Sequence, residues 1–143
     1  MNFTDPSVKE LQELTRNEHI RVIYPLRPVI EAHFLLVPVR AVARLSDLSE
    51  PEVLALFQLL KQAQLVMAKA YGVDGFNFFA NEGASASQRI PHVHFHLFGR
   101  SADEPINPFS ILNDPAIAKA RPTLSPDELS ARVTMLRSAF PSS

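Results

Sequence analysis

Pro91-His92-Val93-His94-Phe95-His96-Leu97-Phe98-Gly99-Arg100 packs three of the chain's five histidines into five consecutive positions, alternating strictly with apolar residues. Alternation at period two, with β-branched and aromatic partners, predicts a half-buried strand. On a strand, residues i, i+2 and i+4 share a face at spacings of roughly 6.5–7 Å. Val93, Phe95 and Leu97 thus supply a face to bury, while His92, His94 and His96 form a row on the other. Folding has no use for that row. Histidine is a mediocre strand former, and imidazoles with pKa values near neutrality repel when two are protonated. The row is read as a site, and its strand as part of a sheet.

Working outward, Phe76 to Ala80 reads as another strand, joined to the histidine strand by the polar stretch Asn81 to Gln88. Further upstream, Ala32 to Pro38 is nearly all apolar and reads as a central strand. His19 to Tyr24 is a shorter one, ended by Pro25 and Pro28, which forbid regular pairing. Asp5-Pro6 is an N-cap with proline at the first helical position, and Val8, Leu11 and Leu14 extend a helix to about Asn17. The longest helix starts at the capping box Ser49-Glu50-Pro51-Glu52 and stops at Gly72. Val53, Leu54, Leu56, Phe57, Leu60, Leu65, Met67 and Ala68 are its expected buried side. After Arg100 come a loop rich in Pro and Asn, a helix start at Asp114-Pro115, and a last helix over about Pro126 to Phe140. Leu129, Val133, Leu136 and Phe140 share one side of that helix. Four or five strands with helices set apart from them predict an α+β fold with an antiparallel sheet.

The chain has 143 residues, 46% hydrophobic and 20% charged, the composition of one folded domain rather than of a disordered segment. The formal net charge is −1 with acidic and basic residues interspersed, so no basic face for nucleic acid is visible. The absence of cysteine excludes disulfides and thiolate zinc sites and fits a reducing compartment. The first residues lack the features of a secretory leader, and no apolar run approaches the ~18 residues of a membrane span. A cytoplasmic protein with no membrane or nucleic-acid partner is expected.

Two chemistries suit three imidazoles on a strand. A His-x-His pair can hold zinc, but the geometry then wants further ligands, and Glu82 is the sole nearby carboxylate. Alternatively, a neutral imidazole attacks phosphorus while a neighbour holds or delivers a proton at pH 7. Phosphoryl transfer also needs donors around the non-bridging oxygens. Asn81, Ser85, Ser87 and Gln88 offer them, with Gly83 freeing the turn. His33, alone on an apolar strand, reads as a satisfied core histidine. His19 reads as a surface residue, and Arg100 equally as a surface charge or a site residue.

The pattern His92-Val93-His94-Phe95-His96-Leu97-Phe98 resembles, at every position, the His-φ-His-φ-His-φ-φ signature of the histidine-triad (HIT) family of nucleotide hydrolases and transferases. Asn81-Glu82-Gly83, with Gln88 four residues before His92, is similar to the family's polar loop. Ala32 to Pro38 followed by Arg40 is similar to its upstream strand. The resemblance covers about residues 20–100, with 101–143 as a C-terminal helical extension of a single domain. It implies an antiparallel sheet of about five strands with two main helices, in a homodimer whose sheets join edge to edge. It implies cleavage of a nucleoside phosphoramidate or dinucleoside polyphosphate, purine-containing by kinship, with no cofactor and no metal. His94 would be the nucleophile that takes the nucleotide through nitrogen. His96 would contact the phosphate, and His92 would orient the site toward His33. Asn81, Gln88 and Ser87 would hold substrate oxygens. One departure stands out: the family's ribose-holding Asp or Asn, eight residues before the upstream histidine, is replaced by Pro25. A nucleotide-sensing module with little turnover, and a metal site on the histidine row, stay open as alternative readings.

Overall fold

The computed structural model describes residues 2–141, in which five strands form one antiparallel sheet. They are β1 (Glu13–Arg16), β2 (Ile20–Ile23), β3 (His33–Pro38), β4 (Gly75–Ala80) and β5 (Phe95–Arg100), in the spatial order β1-β2-β3-β5-β4. The histidine strand thus lies between β3 and the edge strand β4, pairing Leu36 with Phe95 on one side and Ala80 with Phe95 on the other.

Regular pairing begins only at Phe95, so His92 and His94 precede the ladder rather than belonging to it. Pro38 explains this. Register would set it opposite Val93, but proline has no N–H to donate. The freed groups find other partners: Val93 N–H bonds the Val42 carbonyl (2.7 Å), and the His92 ring bonds the Pro38 carbonyl (2.7 Å).

The helix α1 (Pro6–Leu11) starts at Asp5 as expected, with the Asp5 carboxylate accepting from Ser7 N–H. It ends well before Asn17. Residues 13–16 instead pair with β2, and the Asn17 side chain closes the hairpin by accepting from the N–H groups of His19 and Ile20. Leu11 is consequently exposed while Leu14 enters the core. Apolar spacing of three suited a helix there, but the ladder with β2 satisfies four residues of backbone at once.

The helix α2 (Glu50–Tyr71) matches its expected ends, with a complete capping box between Ser49 and Glu52 and Gly72 in the left-handed region (φ +68°). It packs on one sheet face through Ala55, Leu56, Leu59, Leu60, Ala63, Val66 and Met67. Of the expected buried side, Leu56, Leu60 and Met67 are buried, but Leu54, Phe57 and Leu65 are 60%, 51% and 73% exposed. After two short helices, α3 (Pro108–Leu112) and α4 (Pro115–Lys119), α5 (Pro126–Ala139) packs on the same core. Leu129, Val133, Leu136 and Phe140 are all buried there. The other sheet face is covered by Phe3 and Val8 over Ile23, Leu35 and Val37, and beyond them carries the histidines.

Candidate active site

The strand pleat places Phe95 and Leu97 in the core and turns His94, His96 and Phe98 to the opposite face. The His94 and His96 ring centroids lie 5.2 Å apart. On β3, His33 projects to the same face, and its Nε2 is 3.0 Å from His96 Nδ1. All four expected histidines are thus brought together.

Hydrogen bonds assign their protons. Val29 N–H donates to His33 Nδ1 (3.1 Å), so the His33 proton must sit on Nε2. That proton donates to His96 Nδ1, which leaves His96 with its own proton on Nε2. His94 Nδ1 lies 3.1 Å from the His92 carbonyl, which can only accept, so Nδ1 carries the proton and Nε2 keeps a free lone pair. His92 donates in the same way from Nε2 to the Pro38 carbonyl. Two neighbouring neutral rings therefore differ, His96 with a donor at Nε2 and His94 with a lone pair there.

The surroundings keep the rings neutral. Phe79 stacks on His96 (4.9 Å, 15°), Phe98 meets His33 edge-on (4.7 Å, 81°), and Phe109 closes on both phenylalanines. Burial in this aromatic wall pushes His96 down to about 4, helped by the charges of His94 and Arg121. Burial, then His96, Arg121 and His94, hold His33 well below the usual imidazole value. Burial also lowers His92 and His94, against the opposing effect of their carbonyl partners.

The polar loop is arranged differently for each residue. Register continues Ala80↔Phe95 to set Asn81 opposite His94, on the histidine face, where it is exposed. Ser87 is also exposed and adopts φ +69°, a strained conformation for a residue with a side chain. The Gln88 amide is occupied: Oε1 accepts from Gly83 N–H (2.7 Å), and Nε2 donates to the carbonyls of Ala43 (2.9 Å) and Ile90 (3.1 Å). It reaches a substrate only by releasing the loop. His19 sits in the β1–β2 turn, where its carbonyl accepts from Val39 N–H (2.8 Å), and Arg100 is paired with Glu104 (2.6 Å) and Asn77 (2.8 Å). Among the described residues, no three of His, Cys, Asp and Glu are grouped to hold a metal ion, and no helix is long and apolar enough to cross a membrane.

Sequence reasoning missed Val29, Phe79 and Phe3. Val29 acts through its backbone N–H, which no side-chain pattern reveals. Phe79 could have been found from its place in the alternation of its strand. Phe3 is 1% exposed, with its ring 5.5 Å from His92 and 5.1 Å from His94. Its carbonyl accepts from Arg21, a buried arginine paired with Glu13 (2.7 Å). Nothing local to residue 3 announces that contact.

Residues 7–103 match the family described as the HIT domain. The chain is 37% identical over 75 residues to the bis(5'-nucleosyl)-tetraphosphatase [asymmetrical] of Schizosaccharomyces pombe, covering 52% of this chain and 41% of that protein. It is 31% identical over 115 residues to the bis(5'-adenosyl)-triphosphatase of Dictyostelium discoideum, covering 80% and 76%. Among solved structures it superposes on the C. elegans NitFhit protein with a TM-score of 0.74 and 26% identity, covering 90% of this chain and 27% of that one. Thus it spans less than half of the fission-yeast protein and about a quarter of the nematode one. With sheet order, triad geometry and sequence in agreement, the chain belongs to the HIT-domain family.

Proposed function

We propose that this protein is a nucleotide hydrolase or nucleotidyl transferase. It cleaves a dinucleoside polyphosphate or nucleoside phosphoramidate at the α-phosphate through a nucleotide bound covalently to His94. The observation that carries this reading is the placement of protons: a lone pair on His94 Nε2 beside a donor on His96 Nε2. The His94 Nε2–phosphorus bond forms as the bond to the leaving group breaks. The ring becomes cationic, and the His92 carbonyl on Nδ1 stabilises it. His96 Nε2–H donates a hydrogen bond to a non-bridging oxygen and keeps its proton, while the leaving phosphate departs as the anion. Water then attacks phosphorus, the nitrogen–phosphorus bond breaks, one proton passes to solvent, and His94 is regenerated. Asn81 and Ser87 hold substrate oxygens, with Gln88 shaping their loop and able to join them. The relatives named as tetraphosphatase and triphosphatase support phosphoanhydride substrates.

In this reading the protein is cytoplasmic and works as a homodimer through the β4 edge. The α2 residues beside that edge support it: Leu54, Phe57 and Leu65 form an exposed apolar stripe, and Phe57 meets Phe78 of β4 at 6.2 Å.

The test is hydrolysis of diadenosine triphosphate, diadenosine tetraphosphate and adenosine 5'-phosphoramidate in EDTA by wild type and His94→Ala. Turnover by wild type that falls about a thousandfold or more in the variant, with adenosine monophosphate still bound, is expected. Equal rates in both proteins would overturn the covalent step. No turnover by wild type would favour a sensing module, or a metal site if added zinc restored the rate.

A further inference from the structure

The extension after residue 100 is stitched onto the loop between β2 and β3. Arg27 donates from Nε to the Arg121 carbonyl (3.1 Å) and from Nη2 to the carbonyls of Lys119 (2.6 Å) and Arg121 (2.9 Å). Leu124 N–H donates to the Leu26 carbonyl (2.9 Å). These bonds deliver Arg121 to a cavity of about 570 Å3 lined by Val29, Ile30, Ile111, Ile117 and Arg132 among others. Val29 is the residue whose N–H holds His33, so this cavity adjoins the histidine chain.

Within the cavity Arg121 is unfinished. Its Nε is buried without a hydrogen-bond partner, so a ligand in the cavity meets the half-buried guanidinium at its terminal nitrogens. A buried donor without an acceptor is costly and calls for an explanation. Glu31 and Glu128 also line the cavity, but neither is among the groups that shift Arg121. Burial, then the charge of Arg27, holds the Arg121 guanidinium below its ordinary value, and no carboxylate is among the causes that shift it. The neighbouring arginines are already committed, Arg27 to carbonyls and Arg132 to the Tyr24 hydroxyl (2.8 Å). The triad, being neutral, supplies no cation for a polyanionic substrate. Arg121 lies near enough to His33 and His96 for both to feel its charge.

We propose that Arg121 is a substrate-binding residue that takes a phosphate group of the nucleotide other than the one His94 attacks. This rests on the nucleotide reading above. The second phosphate has two sources, the leaving polyphosphate chain or a phosphate on the ribose, and both present the same acceptor oxygens to a guanidinium. Because Arg27 grips backbone carbonyls, replacing the Arg121 side chain leaves the docking of the extension in place.

The experiment is calorimetric titration of wild type, Arg121→Ala and Arg121→Gln with adenosine monophosphate, adenosine diphosphate and adenosine 3',5'-bisphosphate. Wild type should bind one of the two-phosphate ligands at least about tenfold tighter than the monophosphate, as one charge-assisted contact supplies. Both variants should lose that margin while binding the monophosphate within about twofold of wild type. A margin on the diphosphate assigns the chain, and a margin on the bisphosphate assigns the ribose. No margin in wild type, a margin that survives in Arg121→Gln, or equal weakening of all three ligands would overturn the proposal. His94-dependent turnover without the margin sinks this inference alone. The margin without turnover sinks the hydrolytic reading alone.

Discussion

Protons on four imidazoles decide what each can do. The order Val29 N–H, His33, His96 runs in one direction, so reversing any link would turn His96 from donor to acceptor. Asparagine at 96 keeps a donor near that place but removes a titrating group. The native His96 falls to about 4 against 6.5 for a free imidazole, and burial holds His33 well below its usual value. Between about pH 6.5 and 4 the unfolded chain therefore binds more protons than the folded one. The resulting stability is complete above pH 6.5 and is lost as pH falls through this window. The thermal midpoint of wild type should drop from pH 7 to pH 5, and His96→Asn should drop less. Equal slopes in the two proteins would mean that the burial of His96 is not what holds it neutral. At this scale the sequence was informative where the acting side chains alternate along one strand. The alternation from His92 to His96 was enough to place three imidazoles on one face. Val29 escaped because a backbone donor leaves no mark on residue type, and Arg121 because its neighbours are over ninety positions away in the chain.

Elements form where local signals and long-range pairing agree. Ser49, Glu52 and Gly72 mark both ends of α2, and those marks act within a few residues, so the helix was legible. The first helix was overextended because its continuation depended on a partner: residues 13–16 meet β2 only once the chain has turned at Asn17. The regular start of β5 was misplaced for a related reason, since Pro38 limits it from a different strand. Contact between α2 and β5 rests on Gly99. A Cβ there would lie 2.8 Å from Met67 Sδ, 2.8 Å from Val73 Cγ2 and 3.0 Å from Ala32 Cβ. Gly99→Ala should therefore lower unfolding free energy by about 1–3 kcal/mol in urea titrations, as overpacking a filled core does. Unchanged stability would show that the helix and sheet can separate freely.

Viewed whole, the molecule buries one sheet face under α2 and α5 and leaves an apolar stripe on the outer side of α2 next to an edge strand. The amphipathic pattern of α2 could not separate that stripe from the core, because Leu54, Phe57 and Leu65 are as apolar as the residues that pack. An unpaired edge flanked by the exposed Phe57 favours association with a second copy. Phe57→Lys should convert a particle of twice the chain mass to single chains in light scattering. A single-chain mass for wild type would instead remove the edge-to-edge assembly. The two ends of the chain also differ in position. Phe140 closes on Phe34 in the core under the helices, whereas Phe3 lies against His94 on the opposite face. An affinity tag or fusion partner joined ahead of Phe3 would enter beside His94, while one joined behind α5 would emerge across the sheet from it.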